Sequence, residues 1–124
     1  GKVVGAREAV AQRRPQDVII ACGKALQLDP GCALGHYYRG AAHLELGNQA
    51  AMHTDFEQAA ALDQNNAEML YKIATVMAHV KHYPKAIQLL GRVIELNATA
   101  QSAWAMLAEC YLHVGKVDTA SAIL

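Results

Sequence analysis

Few residues in this chain could do chemistry by their type and spacing. Cys110 and His113 lie three apart, as a nucleophile and its base would on one helix face. The simpler reading packs Cys110 into a helix interface as an inert thiol and turns His113 outward. His79 and His113 are 34 residues apart, so a repeat of that period would set them on one face, within reach of a metal or of each other. Two imidazoles without further ligands make a poor zinc site, and both read as surface histidines. Asn97-Ala98-Thr99 fits a glycosylation acceptor, but it falls between helices and no secretion signal opens the chain, so a chance match is expected. There is no Walker-type phosphate loop, no Gly-x-Ser-x-Gly elbow and no His-Glu-x-x-His. The chain reads as a non-enzyme that needs no cofactor and no metal.

The elements that would carry these side chains are helices. Of the 124 residues 53% are apolar, with Ala prominent and only three prolines. Ala has the highest helix propensity and lets helices approach closely. Residues 2–13 read as a weak helix with Val3, Val4, Ala6 and Val10 on one side. Pro15 suits the first turn of the next helix, which runs to about Leu28, and Asp29-Pro30-Gly31 closes it. Further helices are expected over 33–46, 49–62, 67–80, 84–96 and 101–114, with a last one opening near Val117. Lys and Arg balance Asp and Glu at 11 each, which argues against bulk electrostatic capture of nucleic acid or an anionic membrane. No apolar run approaches the roughly 20 residues of a membrane span. Cys22, Cys32 and Cys110 are an odd set without metal-type pairing, so a reducing, cytoplasmic compartment is expected.

A period of 34 organises the whole. Gly47, Lys81 and Gly115 recur at that spacing, as do Met52, Ala86 and Ala120, and Phe56, Leu90 and Leu124. Such a period marks stacked repeats rather than a single globular core, because each helical pair has an apolar side that only its neighbour can bury. In the fourth repeat Trp104, Leu107, Ala108 and Tyr111 occupy one helix and Ala120 the next. The third has Leu70, Ile73, Ala74 and Met77, then Ala86, Leu90 and Val93. The second is less regular, with His36, Arg39, Gly40 and His43, then Met52, Phe56 and Ala59. This pattern resembles the tetratricopeptide repeat. The resemblance implies an all-α fold, a right-handed superhelical solenoid of antiparallel helix pairs with about three and a half repeats, over 1–32, 33–66, 67–100 and a truncated 101–124. Residues 1–124 would form one domain. Gly1 stands where an initiator Met would, and the chain stops on an apolar stripe, so a fragment of a longer protein is expected.

In proteins of this family the first helix of each repeat lines a concave groove that holds a peptide or helix. In phase, that groove would be lined by Arg7, Tyr37, Tyr38, Glu68, Tyr71, Lys72, Thr75, His79, Met106, Glu109 and His113. Tyr offers contact area at low entropy cost and Met adapts its shape. Tyr37 and Tyr71 are also 34 apart, as packing positions would be. Family members that grip acidic heat-shock-protein C-termini use a clamp of Lys, Asn and Arg, whose slots fall here on Val3, Arg7, Tyr38, Glu68 and Lys72. Neither Asn of the clamp is present in these slots and Glu68 would repel a carboxylate, so that mode is disfavoured. The Asn ladder of glycosyltransferase-associated arrays is also missing, with Tyr38, Lys72 and Met106 in its slots. The expected function is a protein–protein interaction module of the scaffold, adaptor or co-chaperone kind. Alternatives are a regulatory or substrate-docking array of a larger enzyme, or self-association through the C-terminal edge at Ile123 and Leu124.

Overall fold

The computed structural model describes residues 14–123, and among these all regular structure is helical. The helices are α1 (Pro15–Leu28), α2 (Ala33–Glu45), α3 (Gln49–Leu62), α4 (Ala67–His79), α5 (Tyr83–Leu96), α6 (Gln101–His113) and α7 (Val117–Ile123). The expected helix over 2–13, and Arg7 with it, lies outside the described residues. The described helices fall into two compact units divided between Asp63 and Gln64.

In the first unit α1, α2 and α3 pack in sequence. Val18, Cys22, Ala25 and Leu26 repeat at helical spacing and form the buried stripe of α1. Met52, Phe56 and Ala59 do the same for α3. Between them α2 buries Gly35, Gly40 and Ala42. A Cβ on Gly40 would sit 2.7 Å from two ring carbons of Phe56, so only glycine lets these helices meet this closely. Ala74 and Ala108, in the same slot of the next repeats, are likewise buried.

The second unit stacks α4 on α5, α5 on α6 and α6 on α7, and α4 also touches α6. Its core is apolar throughout: Leu70, Ile73, Ala74 and Met77 from α4, Ala86, Leu89, Leu90 and Val93 from α5, and Ala103, Leu107, Ala108 and Cys110 from α6. Arg92 fastens the turn before α4 to α5, donating to the Gln64 carbonyl at 3.1 Å and to Asn65 Oδ1 at 2.6 Å.

The period is visible in the helix ends. After α2, α4 and α6 the chain turns through a left-handed residue, Gly47 (φ 80°), Lys81 (φ 67°) and Gly115 (φ 82°). Each turn closes in the same way: Asn48, His82 and Lys116 N–H donate to the His43, Met77 and Tyr111 carbonyls at 2.8, 2.7 and 2.8 Å. Lys81 carries a Cβ into a conformation that costs an L-residue about 1–2 kcal/mol. Its side chain is exposed, so little packing is lost on truncation. Lys81→Gly is therefore expected to stabilise the second unit by about 1 kcal/mol, read as a higher midpoint in urea unfolding at unchanged slope.

Candidate functional site

On α4, Glu68, Lys72, Thr75 and His79 follow one another at four, three and four residues and so share a helix face. Met106, Glu109 and His113 do the same on α6. The buried stripes of both helices turn toward α5 and leave these two faces side by side. Thr75, His79, Met106, Glu109 and His113 come together around one cavity of about 220 Å³, which Ala78, Tyr83 and Cys110 complete. Thr75 Oγ1 donates to the Tyr71 carbonyl at 2.9 Å and lies 3.7 Å from Met106 Sδ. The Tyr83 and His113 rings stack in parallel, centroids 4.6 Å apart. His113 Nε2 is 4.0 Å from Glu109 Oε1, at the outer limit of an ion pair.

Glu68 and Tyr71 line a second, wider cleft of about 480 Å³, with Asn97, Thr99 and the first turn of α6. Lys72 Nζ lies 3.2 Å from Glu68 Oε1, an exposed pair that contributes little to stability. Tyr83 was not among the expected site residues. Pro84 after it signals a helix entry, and nothing local in the sequence brings its ring to His113.

Tyr37 and Tyr38 lie in the first unit, both half-buried. The Tyr37 ring stacks on Phe56 at 5.7 Å and meets Tyr38 edge-on at 5.5 Å. Tyr38 packs against the cluster of Val18, Cys22 and Ala42. Both tyrosines thus contribute to packing within their own unit.

The same unit holds a polar network that the sequence reading passed over. Asp55 is only 3% exposed. Arg39 grips its carboxylate with both arms of the guanidinium, Nε to Oδ2 at 2.9 Å and Nη2 to Oδ1 at 2.7 Å. His36 Nδ1 lies 3.2 Å from Oδ1 and His43 Nε2 3.9 Å from Oδ2. Hydrogen bonding to Asp55 holds the guanidinium charged, pushing its pKa above the ordinary arginine value. The signal in the sequence is joint: these four residues stand 34 before Leu70, Ile73, Met77 and Leu89, all of them buried.

Cys22 and Cys110 are buried packing groups, whereas Cys32 caps α2, its Sγ accepting from the Gly35 N–H at 3.4 Å. Burial pushes the Cys22 thiol up to about 11, and raises that of Cys110 as well, away from the reactive thiolate. His113 is exposed, as expected. Among the described residues no group of three or more His, Cys, Asp or Glu could hold a metal ion.

Comparison with known proteins agrees with this architecture. A sequence model of the family described as tetratricopeptide repeat matches residues 77–124. DnaJ homolog subfamily C member 7 of Mus musculus is 28% identical over 109 residues, covering 78% of this chain and 22% of that protein. The chain thus spans about a fifth of the length of this curated relative. Among solved structures, MamA superposes with a TM-score of 0.82 at 23% identity, covering 95% of this chain and 64% of that one. The first tetratricopeptide domain of Spaghetti (RPAP3), solved with an HSP90 peptide, gives 0.74 at 18% identity and 89% coverage of both chains. At such identities the likeness speaks to the fold alone. The in-phase helix ends, the small residues at the crossings and the matched segment all agree with the tetratricopeptide-repeat fold, an all-α array of antiparallel helix pairs.

Proposed function

We propose that this chain is a non-catalytic interaction module, of the scaffold, adaptor or co-chaperone kind, that seats a peptide or partner helix on the α4/α6 face. The observation that carries this is the cavity of about 220 Å³, where five side chains from two helices converge over an apolar floor. Glu68, Tyr71 and Lys72 beside the second cleft would continue the contact along the same two helices. Tyr37 and Tyr38 are a separate candidate contact through their exposed halves. Glu68 and Glu109 on this face speak against the acidic peptide that RPAP3 holds. Residues 1–124 are taken as one domain acting in a reducing compartment. The short share of the relative that is matched leaves room for the alternative role, a docking array of a larger enzyme.

Display selection of peptides on the chain, followed by titration into wild type and Met106→Ala, tests the reading. Affinity is expected to fall by about tenfold in the variant, with the melting temperature little changed. Equal affinity would remove the cavity from the binding surface. A second reading, self-association, is favoured by Leu112, Val114 and Val117, each of them exposed in the stretch that joins α6 to α7. A mass that rises with concentration in sedimentation would support it.

A further inference from the structure

The cavity between α4 and α6 also carries information about what would fill it. Of the residues that line it, Glu109 alone has a carboxylate, and neither Lys nor Arg is among them. Its side chain is 69% exposed, and its ion partner, His113, stands 4.0 Å away. The carboxylate is therefore available to a stronger partner. The last turns of α4 and α6 flank the cavity, Thr75–His79 on one side and Glu109–His113 on the other. Below the rim the surface is apolar, made by Ala78, Met106 and Cys110. The parallel Tyr83 and His113 rings add a flat wall. An apolar shaft under a single negative charge is the complement of a long side chain with a methylene stem and a cationic head. About 220 Å³ suits one such side chain and is far too small for a folded element.

We infer that the cavity takes a Lys or Arg side chain from an extended segment of a partner protein, its stem lying on Met106 and its charge directed to Glu109. This deepens the groove reading above and rests on it. It also reverses the polarity of acidic-peptide recognition: the carboxylate is on the receptor and the cation on the ligand.

The test uses acetylated, amidated hexapeptide libraries with one position fixed as Lys, Arg, norleucine or Glu. They are titrated in mildly alkaline buffer into the native chain, Glu109→Gln, Glu109→Lys and Met106→Ala. The Lys and Arg libraries are expected to bind about fivefold more tightly than norleucine, with the advantage shrinking in salt. That advantage should vanish in Glu109→Gln, and Glu109→Lys should prefer the Glu library. Norleucine binding as well as Lys, or Glu binding best to the native chain, would overturn the cationic ligand while leaving the groove reading intact. Binding that Met106→Ala leaves unchanged in every library, or no binding at all, would overturn both.

Discussion

Asp55→Ala is expected to destabilise the first unit by about 3–5 kcal/mol, a large share of what a domain of this size has to lose. The carboxylate is 3% exposed and accepts two hydrogen bonds from Arg39, with His36 and His43 around it. Truncation leaves a guanidinium facing an apolar core with nothing to neutralise it. The Arg39 side chain retains 28% exposure, so it can turn partly to water, which places the loss toward the lower end of that range. Asp55→Asn keeps the shape and some acceptor capacity, and should fall between wild type and the alanine variant. Hydrogen exchange resolved by peptide is the appropriate measurement, because the loss of protection should be confined to α1–α3. A change below about 1 kcal/mol would mean that the pair is largely solvated and that the burial of Asp55 has little energetic weight.

The opposite sign is expected when the whole network is exchanged at once. His36→Leu, Arg39→Ile, His43→Met and Asp55→Leu together install the residues found 34 positions on, which are buried in the second unit. No charge is then left without a partner, and the desolvation cost of a buried ion pair disappears. Replacements of this kind have gained about 1–4 kcal/mol, and a gain in that range is expected here by chemical denaturation. Gly40 is left in place, so the close approach of α2 to Phe56 is preserved. A quadruple variant less stable than wild type would show that α2 and α3 are spaced for the polar set and cannot close on an apolar one. The two experiments together separate what the network contributes from what breaking it costs.

The helices were legible because their signals are local. Pro15, Gly47, Pro84 and Gly115 each mark an end, and most expected bounds lie within a residue of those observed. Gly40, Ala74 and Ala108 were legible as helix crossings because the period placed them in one slot. The Asp55 network was not, because His36, Arg39 and His43 lie on α2 and Asp55 on α3, and only the fold brings them together. His36, Arg39 and His43 only make the second repeat look irregular, and Asp55 looks like one more polar residue of α3. Their agreement with one another is a property of the fold. The same holds at the candidate site: Met106, Glu109 and His113 follow from phase, whereas Tyr83 joins them through a contact 30 residues long in sequence. Trp104 fell in its expected slot, yet it is 36% exposed and its indole Nε1 donates to the Ala98 carbonyl at 2.8 Å, tying the loop before α6 to that helix.

Trp104 is also the chain's single tryptophan, and it belongs to the second unit. Its emission is therefore a local dye: it follows the Asn97–Ala100 loop and the wider cleft beside it, and it does not directly see Asp55. Far-ultraviolet dichroism, by contrast, weighs every helix. Unfolding curves from the two signals that coincide would mean the units melt as one cooperative body. Curves that separate would give each unit its own transition, and an unaltered emission curve for Asp55→Ala would then mark the second unit as folding on its own.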